Sequence, residues 1–549
     1  NMLNEAGMET YERVVEFPMW DEYGEMIVSE VADIKNIGGP EGGAITAGGD
    51  VTIVNSGLSS NTASGNGGAI SATGATSAVE VTNSGLAGNT AGGSGGAISV
   101  TGATSAVEVT NSVLAFNAAS TGNGGSISST GSTSTVSITN TGLGYNTAGG
   151  DGGAIAASGA NSTVLIKDTS IAENIAGNNG GGISSGGEVA IGSNSSTPVN
   201  TSTTGNVESA LASAASSTTS DSAFSASTSI TLTLGSNVYS TSAGQGISGS
   251  SDSATNPSGS IMFKNTAASG NGGAVSAQGE VTVTSGSNIY ANTASQDGGA
   301  ISSQSAVEIS NSAVSGNTAT AGDGGAIFAD GQVTISASNL YDNEALEGSG
   351  GAVFSEDKVI ISSTTSFTEN SAAVGGAIAA TTSVDISHTE FIDNSASEYG
   401  GAIDIGDDST EKSSIVDSTF DENTSSETGG AIDGHMGKLV INNTGFTGNT
   451  AAESGGAIWH QGDLEVIDST FTGNIASADE AGIQEVRNEC EVVDGPDRGF
   501  CILFSGKFDP IVDIEMESLY GFASGGAIRV FSPAEVLSPM SESDEDQNL

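Results

Sequence analysis

The fold is decided by a pattern that residues 298–353 contain twice in succession. They read GGAISSQSAVEISNSAVSGNTATAGDGGAIFADGQVTISASNLYDNEALEGSGGAV. Each repeat holds Gly-Gly-Ala before Ile or Val, then a short stretch of alternating apolar and polar residues, then an apolar residue, two variable residues and Asn. Alternation with a period of two is typical of a β-strand with one buried face. The stretch therefore predicts a repeated unit of short strands separated by tight corners.

The same patterns recur in the same order along most of the 549 residues, at steps of roughly 25 to 29 residues. The Gly-Gly-Ala motif ends at Ile45, Ile70, Ile98, Ile155, Val275, Ile301, Ile327, Val353, Ile378, Ile403, Ile432, Ile458 and Ile528, with near-matches at Ile127, Ile183 and Ile483. The Asn that ends the apolar-x-x-Asn pattern of each repeat forms a second column: Asn61, Asn89, Asn117, Asn146, Asn174, Asn265, Asn292, Asn317, Asn343, Asn370, Asn394, Asn423, Asn449 and Asn474.

A unit this short is too small for a propeller blade, and no helical period is present. The sequence predicts an all-β, right-handed, single-stranded parallel β-helix of about 16 coils, with three short strands per coil and irregular N- and C-terminal caps. Each strand pairs with its equivalent one coil away, about 4.8 Å along the axis. Gly-Gly supplies the positive φ of a corner. The Asn column is predicted to form a ladder in which each amide bonds the next, and Asn also tolerates the left-handed conformation.

The paired Gly-Gly-Ala-Ile and Phe-x-x-Asn motifs resemble those of the chlamydial polymorphic outer membrane proteins, over about residues 42–483 and 525–528. The resemblance implies a pectin-lyase-like β-helix and an extracellular or cell-surface location. It says less about function, because such repeats also occur in large secreted proteins of other organisms. Any membrane anchor is expected to lie outside these residues.

The extent of the repeat divides the chain into three segments. Residues 1–41 are predicted to be an N-terminal cap or docking segment, 42–483 the β-helix, and 484–549 a C-terminal cap with a final Gly-Gly-Ala-Ile unit. Residues 192–229 are rich in Ser and Thr and predict a loop inserted in the helix. Residues 245–247 are interpreted as a degenerate motif, with Ile230–Leu234 as its strand.

Charge and cysteines constrain the partners and the compartment. The formal net charge is −53, which repels phosphate backbones and anionic lipid, so nucleic acid is not an expected partner. Direct membrane insertion is not expected either, because no apolar run approaches the roughly 20 residues needed to cross a bilayer. Cys490 and Cys501 predict a local disulfide, which suits an oxidising compartment; two free thiols are the alternative. Glycosylation sequons begin at Asn161, Asn194, Asn200 and Asn442, and that at Asn423 is predicted to be inaccessible within the ladder.

Parallel β-helices also host pectin-acting enzymes, but the sequence lacks a complete catalytic motif of that kind. Asp407-Asp408 and Gly434-His435 lie one repeat apart, as in a polygalacturonase-like hydrolase. The accompanying motifs are missing, and the acidic surface repels a pectate chain. The three His residues show no zinc spacing. The chain is therefore predicted not to be an enzyme and to need no cofactor, except that stacked acidic residues on four successive coils offer a possible Ca²⁺ site: Asp342, Glu369, Asp393 and Glu422.

These observations favour a structural subunit of an extracellular or cell-surface assembly, such as a filament, a flagellar hair or a sheath. Its partners would be further copies of the chain or other extracellular structural proteins. A displayed adhesin or passenger domain is the alternative, and a polysaccharide-active β-helix enzyme is a distant third.

Overall fold

The computed structural model describes residues 40–192, 259–406, 411–435 and 437–476, together with the backbone of ten short strands outside these ranges. This part of the chain is all-β and forms a right-handed parallel β-solenoid of about 13 coils. The predicted fold class is confirmed. The coil count is slightly smaller than the predicted 16, which had counted the near-match at Ile483, outside the described residues.

Each coil contributes one strand to each of four parallel sheets, which we number in chain order from the Gly-Gly-Ala motif. Sheet 1 consists of Ile45–Ala47, Ile70–Ala72, Ile98–Val100, Ile127–Ser129, Ile155–Ala157, Ile183–Ser185, Val275–Ala277, Ile301–Ser303, Ile327–Ala329, Val353–Ser355, Ile378–Ala380, Ile403–Ile405, Ile432–Gly434, Ile458–His460 and Ile528–Val530. Sheet 2 consists of Met19–Trp20, Met26–Ser29, Val51–Val54, Ala78–Thr82, Thr104–Thr110, Thr133–Thr139, Thr163–Lys167, Glu188–Gly192, Val281–Val283, Val307–Ser310, Val333–Ser336, Val359–Ser362, Val384–Ser387, Lys412–Val416, Lys438–Asn442 and Asp463–Ile467.

Sheet 3 ends just before the Asn column, and sheet 4 just follows it. Sheet 3 consists of Gly57–Ser59, Gly85–Ala87, Val113–Ala115, Gly142–Gly144, Ser170–Ala172, Ile261–Phe263, Asn288–Tyr290, Ala313–Ser315, Asn339–Tyr341, Thr365–Thr368, Thr389–Ile392, Thr419–Asp421, Gly445–Thr447, Thr470–Thr472 and Ala523–Ser524. Sheet 4 consists of Ile37–Gly39, Thr62–Ala63, Thr90–Ala91, Ala118–Ala119, Thr147–Ala148, Ile175–Ala176, Thr266–Ala267, Thr293–Ala294, Thr318–Ala319, Glu344–Ala345, Ser371–Ala372, Ser395–Ala396, Thr424–Ser425, Thr450–Ala451 and Ile475–Ala476.

The prediction of three strands per coil was wrong, because sheet 4 adds a fourth. With one exception its strands are two residues long, and half of these two-residue strands are Thr-Ala. Two residues are too few to show the alternation that reveals a strand in sequence. Their parallel pairing, such as Thr318 and Ala319 beside Glu344 and Ala345, is visible only in the stack.

The long insertion leaves the solenoid between sheet 2 and sheet 3 of a single coil. Glu188–Gly192 pairs with Val281–Val283, and Ser170–Ala172 pairs with Ile261–Phe263, so residues 193–258 add no coil. Ile230–Leu234 pairs antiparallel with Asn237–Thr241 in a separate three-stranded sheet, completed by Ser248–Ser251. The interpretation of this stretch as a degenerate coil was therefore wrong. A second small antiparallel pair joins Glu491–Val492 and Cys501–Ile502.

The N-terminal segment contributes strands, although it contains no repeat motif. Met26–Ser29 pairs in parallel with Val51–Val54, and Ile37–Gly39 pairs in parallel with Thr62–Ala63. Met19–Trp20 runs antiparallel to Met26–Ser29 and is the first strand of sheet 2. The parallel stacking thus begins before the first Gly-Gly-Ala motif.

The core is a set of apolar columns, one residue per coil. The inward residue of sheet 3 is Leu in the first coils, beginning with Leu58, and Phe in the last coils. Both types are buried. The aromatic rings stack at centroid distances between 4.6 and 5.1 Å, through Phe367, Phe391, Phe420, Phe446 and Phe471. Because each coil buries its apolar residues only against its neighbours, stability comes from the interfaces between coils.

The Gly-Gly corner has two separate requirements. The first Gly, such as Gly324 at φ +67°, lies in the left-handed region, as predicted. The second, such as Gly325, lies so close to the next coil that an added Cβ would be 2.1 Å from the carbonyl oxygen of Gly351. Any side chain at the second Gly must therefore push two coils apart.

Replacing Gly325 by Ala is expected to lower stability by roughly 2 kcal/mol or more, because backbone rather than a flexible side chain must move. Thermal unfolding followed by circular dichroism measures the loss. Gly49→Ala is the matched control, since a Cβ there meets nothing within 4 Å. Equal melting temperatures for the two variants would contradict this account of the corner.

The predicted Asn ladder is confirmed in every coil from Asn61 to Asn474. From Asn61 to Asn449, Nδ2 donates to Oδ1 of the Asn on the following coil, for example from Asn370 to Asn394 at 2.9 Å, and from Asn89 onward it also donates to a carbonyl oxygen of the preceding coil, as from Asn370 to Leu340 at 3.0 Å. The left-handed residue is not the ladder Asn, however, but the residue before it, such as Glu369 at φ 54°. The ladder Asn residues are buried, so the sequon at Asn423 is inaccessible as predicted.

A second ladder lies at the residue before Gly-Gly. At this position, the side-chain oxygen accepts a hydrogen bond from the backbone N–H of the equivalent residue on the following coil. The Asp323 N–H donates to Asp297 Oδ1 at 3.1 Å, and the Ser349 N–H donates to Asp323 Oδ1 at 2.7 Å. The residues in the column are Asn66, Ser94, Asn123, Asp151, Asn179, Asn271, Asp297, Asp323 and Ser349.

Asp323→Asn is expected to raise the melting temperature at neutral pH and to leave it less changed at pH 3. Burial, opposed by the bond from Ser349 and reinforced by Asp297, raises the pKa of Asp323. A carboxyl whose pKa is raised by folding favours the fold below its unfolded pKa and loses that contribution as pH rises. Asn keeps the accepting oxygen without the charge. Melting curves at the two pH values test this, with the exposed Asp342→Asn as control.

Candidate functional site

The residue type at the outward position of the sheet 1 strands changes near the C-terminal end of the described stack. In most coils this position is Ser or Ala, such as Ser302 and Ala379. Two successive coils instead carry Asp404 and Asp433, which lie directly beside each other in register, and the next coil carries Trp459. The strand of Asp433 leads directly to His435, whose backbone N–H donates to the carbonyl of Ile405.

These residues form the one group of three or more acidic, His or Cys side chains in the described ranges whose ligand atoms all lie within 4.8 Å of one another: Asp404, Asp433 and His435. His435 Nε2 is 3.4 Å from Asp433 Oδ1 and 3.6 Å from Asp404 Oδ1. Asp433 is completely buried, the Asp404 side chain is 11% exposed, and the His435 side chain is 25% exposed. We call this group the Asp-Asp-His cluster.

The surroundings hold the cluster in place. Thr428 Oγ1 donates a hydrogen bond to Asp433 Oδ2, which turns Oδ1 of the same carboxylate toward His435. The rings of Tyr399 and Trp459 lie edge-on to the imidazole, with centroids at 6.4 and 5.6 Å. A hydrogen bond with the Glu427 carboxylate raises the pKa of the Tyr399 hydroxyl. The cluster is thus a largely buried polar group flanked by two aromatic rings.

The neighbouring His460 is not part of the cluster. It takes the third position of its strand, which faces inward, and is buried beside Gly434, whose added Cβ would be 2.4 Å from His460 Nδ1. Burial lowers the pKa of His460, although nearby backbone groups partly offset this. The neutral imidazole is therefore the form that the fold favours.

The sequence alone points to one member of this cluster, His435, and not to the other two. His435 enters the sequence-based expectations beside Asp407 and Asp408, which lie outside the described residues, and as one of three His residues without zinc spacing. Asp404 and Asp433 carry a signal that those expectations leave unused: both follow Gly-Gly-Ala-Ile directly, where most other repeats have Ser or Ala. Since parallel stacking places equivalent positions one above the other, Asp in two successive repeats indicates two adjacent carboxylates.

The four acidic residues predicted to bind Ca²⁺ stack on successive coils, as the sequence indicated. Each has a left-handed backbone, with φ between 53 and 55°, and each is exposed: Asp342, Glu369, Asp393 and Glu422. The structure does not bring any three of them within 4.8 Å. Like charges at an exposed corner can turn apart into solvent, and Ca²⁺ binding there stays a prediction.

The remaining site predictions are untested. Asn161 is exposed and Asn442 is partly buried at the end of a sheet 2 strand, while Asn194 and Asn200 lie outside the described residues. Cys490 and the side chain of Cys501 also lie outside them, so the disulfide stays a prediction. The described residues contain no helix long and apolar enough to cross a bilayer.

Comparison with known proteins finds two unrelated resemblances. Residues 1–51 match the cytosol aminopeptidase family, catalytic domain. Probable cytosol aminopeptidases of Geobacter sulfurreducens and Geotalea uraniireducens are 59% and 56% identical over 46 residues, which is 8% of this chain and 9% of each relative. That of Acinetobacter baumannii is 53% identical over 45 residues, with the same shares. The chain therefore spans less than a tenth of the length of these enzymes.

The second resemblance lies in the solenoid itself and includes the Asp-Asp-His cluster in part. No solved structure matches the chain. Residues 417–434 and 446–461, each of which contains a Phe-x-x-Asn motif followed by Gly-Gly-Ala-Ile, match the Chlamydia polymorphic membrane protein repeat. Two stretches of the β-solenoid, residues 417–434 and 446–461, are therefore similar to the Chlamydia polymorphic membrane protein repeat.

Proposed function

We propose that this chain is a non-catalytic rod displayed at the cell surface, where it serves as a structural subunit of an extracellular assembly. The observation that carries the proposal is the repeat type, since the matching repeats are those of a membrane protein family. The uninterrupted parallel stacking supports it, because a rod of about 13 coils extends roughly 60 Å and presents four long faces.

The charge of the chain favours assembly through cations. A net charge of −53 keeps separate rods apart by repulsion unless counterions bridge them. The exposed acidic corner of Asp342, Glu369, Asp393 and Glu422 is one surface at which a divalent ion would reduce that repulsion. Rods of this composition would then associate laterally in a salt-dependent way.

Negative-stain electron microscopy of native material, with and without a Ca²⁺ chelator, tests the proposal. Fibres or sheets that come apart in chelator would support a cation-bridged assembly. Single short rods under both conditions would contradict it and favour a displayed adhesin. Surface labelling of intact cells tests the location independently of the assembly.

Polysaccharide hydrolysis is the second candidate, and one observation favours it. The Asp-Asp-His cluster places two carboxylates on adjacent coils beside aromatic rings, and a pair of carboxylates is the usual machinery of glycoside hydrolysis. Release of reducing sugar from acidic or neutral polysaccharides, lost in both Asp433→Asn and Asp408→Asn, would establish this function in place of the non-catalytic one.

A further inference from the structure

We propose that Asp404, Asp433 and His435 bind a divalent transition-metal ion such as Zn²⁺. The proposal concerns the Asp-Asp-His cluster alone and is independent of how the rod is displayed or assembled. It rests on the distances within the cluster, on its charge and burial, and on the groups that orient its ligand atoms.

The distances fit ligands of one ion better than they fit hydrogen bonds. The contacts of 3.4 and 3.6 Å from His435 Nε2 to the two carboxylates exceed the 2.7–3.2 Å of an ordinary N–H···O bond. Zn²⁺ holds nitrogen and oxygen ligands at about 2.0–2.2 Å, and in tetrahedral geometry this places two ligands about 3.4 Å apart. The separation of His435 Nε2 from each carboxylate thus suits two ligands of one ion.

The charge of the cluster also favours a cation. Two carboxylates lie side by side with little or no exposure to water, and like charges at such a distance repel strongly when they are poorly solvated. A protonated His435 would offset only one of them. A divalent ion offsets both and leaves His435 neutral, the form in which imidazole is a metal ligand.

The ligand types select the class of metal. Ca²⁺ prefers six to eight oxygen ligands, whereas an imidazole nitrogen with two carboxylate oxygens suits Zn²⁺ and its first-row neighbours. Three protein ligands leave at least one coordination position open, at which water or an oxygen of a bound molecule would complete the shell. Tyr399 and Trp459 border that position through their contacts with His435.

Thr428 is the positioning residue of the site. Its hydrogen bond to Asp433 Oδ2 fixes the carboxylate so that Oδ1 faces His435, in the way that groups around metal sites usually orient the ligands. Thr428 belongs to the column before Gly-Gly, which in the earlier coils holds Asn, Ser or Asp that accept backbone bonds. In this coil, the residue at that position donates a hydrogen bond to the Asp433 side chain instead.

Calorimetric titration of the chelator-treated full chain with Zn²⁺ tests the proposal, with visible absorption of bound Co²⁺ as a second readout of ligand geometry. We expect one saturable site, with affinity lowered at least tenfold in both Asp433→Asn and His435→Gln. Thr428→Val should lower it about tenfold while the site remains. His388→Gln is the matched control, because His388 and Asp417 form an exposed pair of similar separation, 3.6 Å.

Two outcomes would overturn the proposal. One is the absence of saturable Zn²⁺ binding, or affinity that is unchanged in Asp433→Asn and His435→Gln. The other is equal affinity for Ca²⁺, which would point to acidic residues in general rather than to this cluster. Circular dichroism of each variant excludes misfolding, and His435→Gln, at the more exposed ligand, keeps the test available if Asp433→Asn does not fold.

Discussion

Ile327→Asp is expected to abolish folding of the central coils. Ile327 is fully buried and stacks in sheet 1 between Ile301 and Val353. A carboxylate at this point would be desolvated among apolar columns, at a cost of several kcal/mol or more. Because coils contact only their neighbours, the damage should divide the rod rather than unfold it uniformly. Limited proteolysis followed by mass spectrometry should find new cleavage near residue 327.

The control for this substitution is Ile327→Val, which removes one methylene and should cost only about 0.5–1.5 kcal/mol. It should leave the proteolysis pattern unchanged and lower the melting temperature slightly. If Ile327→Asp melted like Ile327→Val, the inward face assigned to sheet 1 would be wrong.

Asn370→Asp is expected to have the next largest effect, although it hardly changes the shape of the side chain. The Asn370 amide donates to Leu340 O and to Asn394 Oδ1, and its own oxygen accepts from the backbone and side chain of Asn343. A carboxylate can still accept but cannot donate, so two buried oxygens would face it without a hydrogen atom between them. A loss of about 2–5 kcal/mol follows from two orphaned acceptors.

The loss should depend on pH in a defined direction. The buried carboxyl of the variant would have a raised pKa, so its protonated form would be compatible with the fold and the stability would be lost as pH rises. Melting temperatures at pH 4 and pH 7 measure this. Asn161→Asp, at an exposed position, should show a small effect at both values. A similar small effect in Asn370→Asp would mean that the ladder contributes little to stability.

The fold could be predicted from sequence because each coil repeats the residues that its geometry requires. Ile327 and its equivalents mark the core, Gly324 marks a left-handed corner, and Asn343 marks the ladder. Sheet 4 escaped detection because a Thr-Ala pair carries no periodicity. The antiparallel sheet that includes Ile230–Leu234 was misassigned because an alternating strand looks the same whichever way it pairs.

The Asp-Asp-His cluster was harder to predict, because its members belong to different coils and depart from the repeat. A search for metal sites in sequence looks for ligands at fixed short spacings. Asp404 and Asp433 are 29 positions apart and meet only through stacking. In a solenoid, the comparison that reveals a site is between equivalent positions of successive repeats, and residues that break the repeat are the ones to examine.

The Asn ladder has an electrical consequence for the rod as a whole. All side-chain bonds within the ladder run in one direction, from Nδ2 of one Asn to Oδ1 of the Asn on the following coil, beginning with Asn61 to Asn89 and ending with Asn449 to Asn474. Aligned amide dipoles add, as peptide dipoles do along an α-helix, and bonds in such a chain polarise one another. The row therefore has a partly positive pole at its last coil and a partly negative pole at its first, so the two ends of the rod are electrostatically distinct.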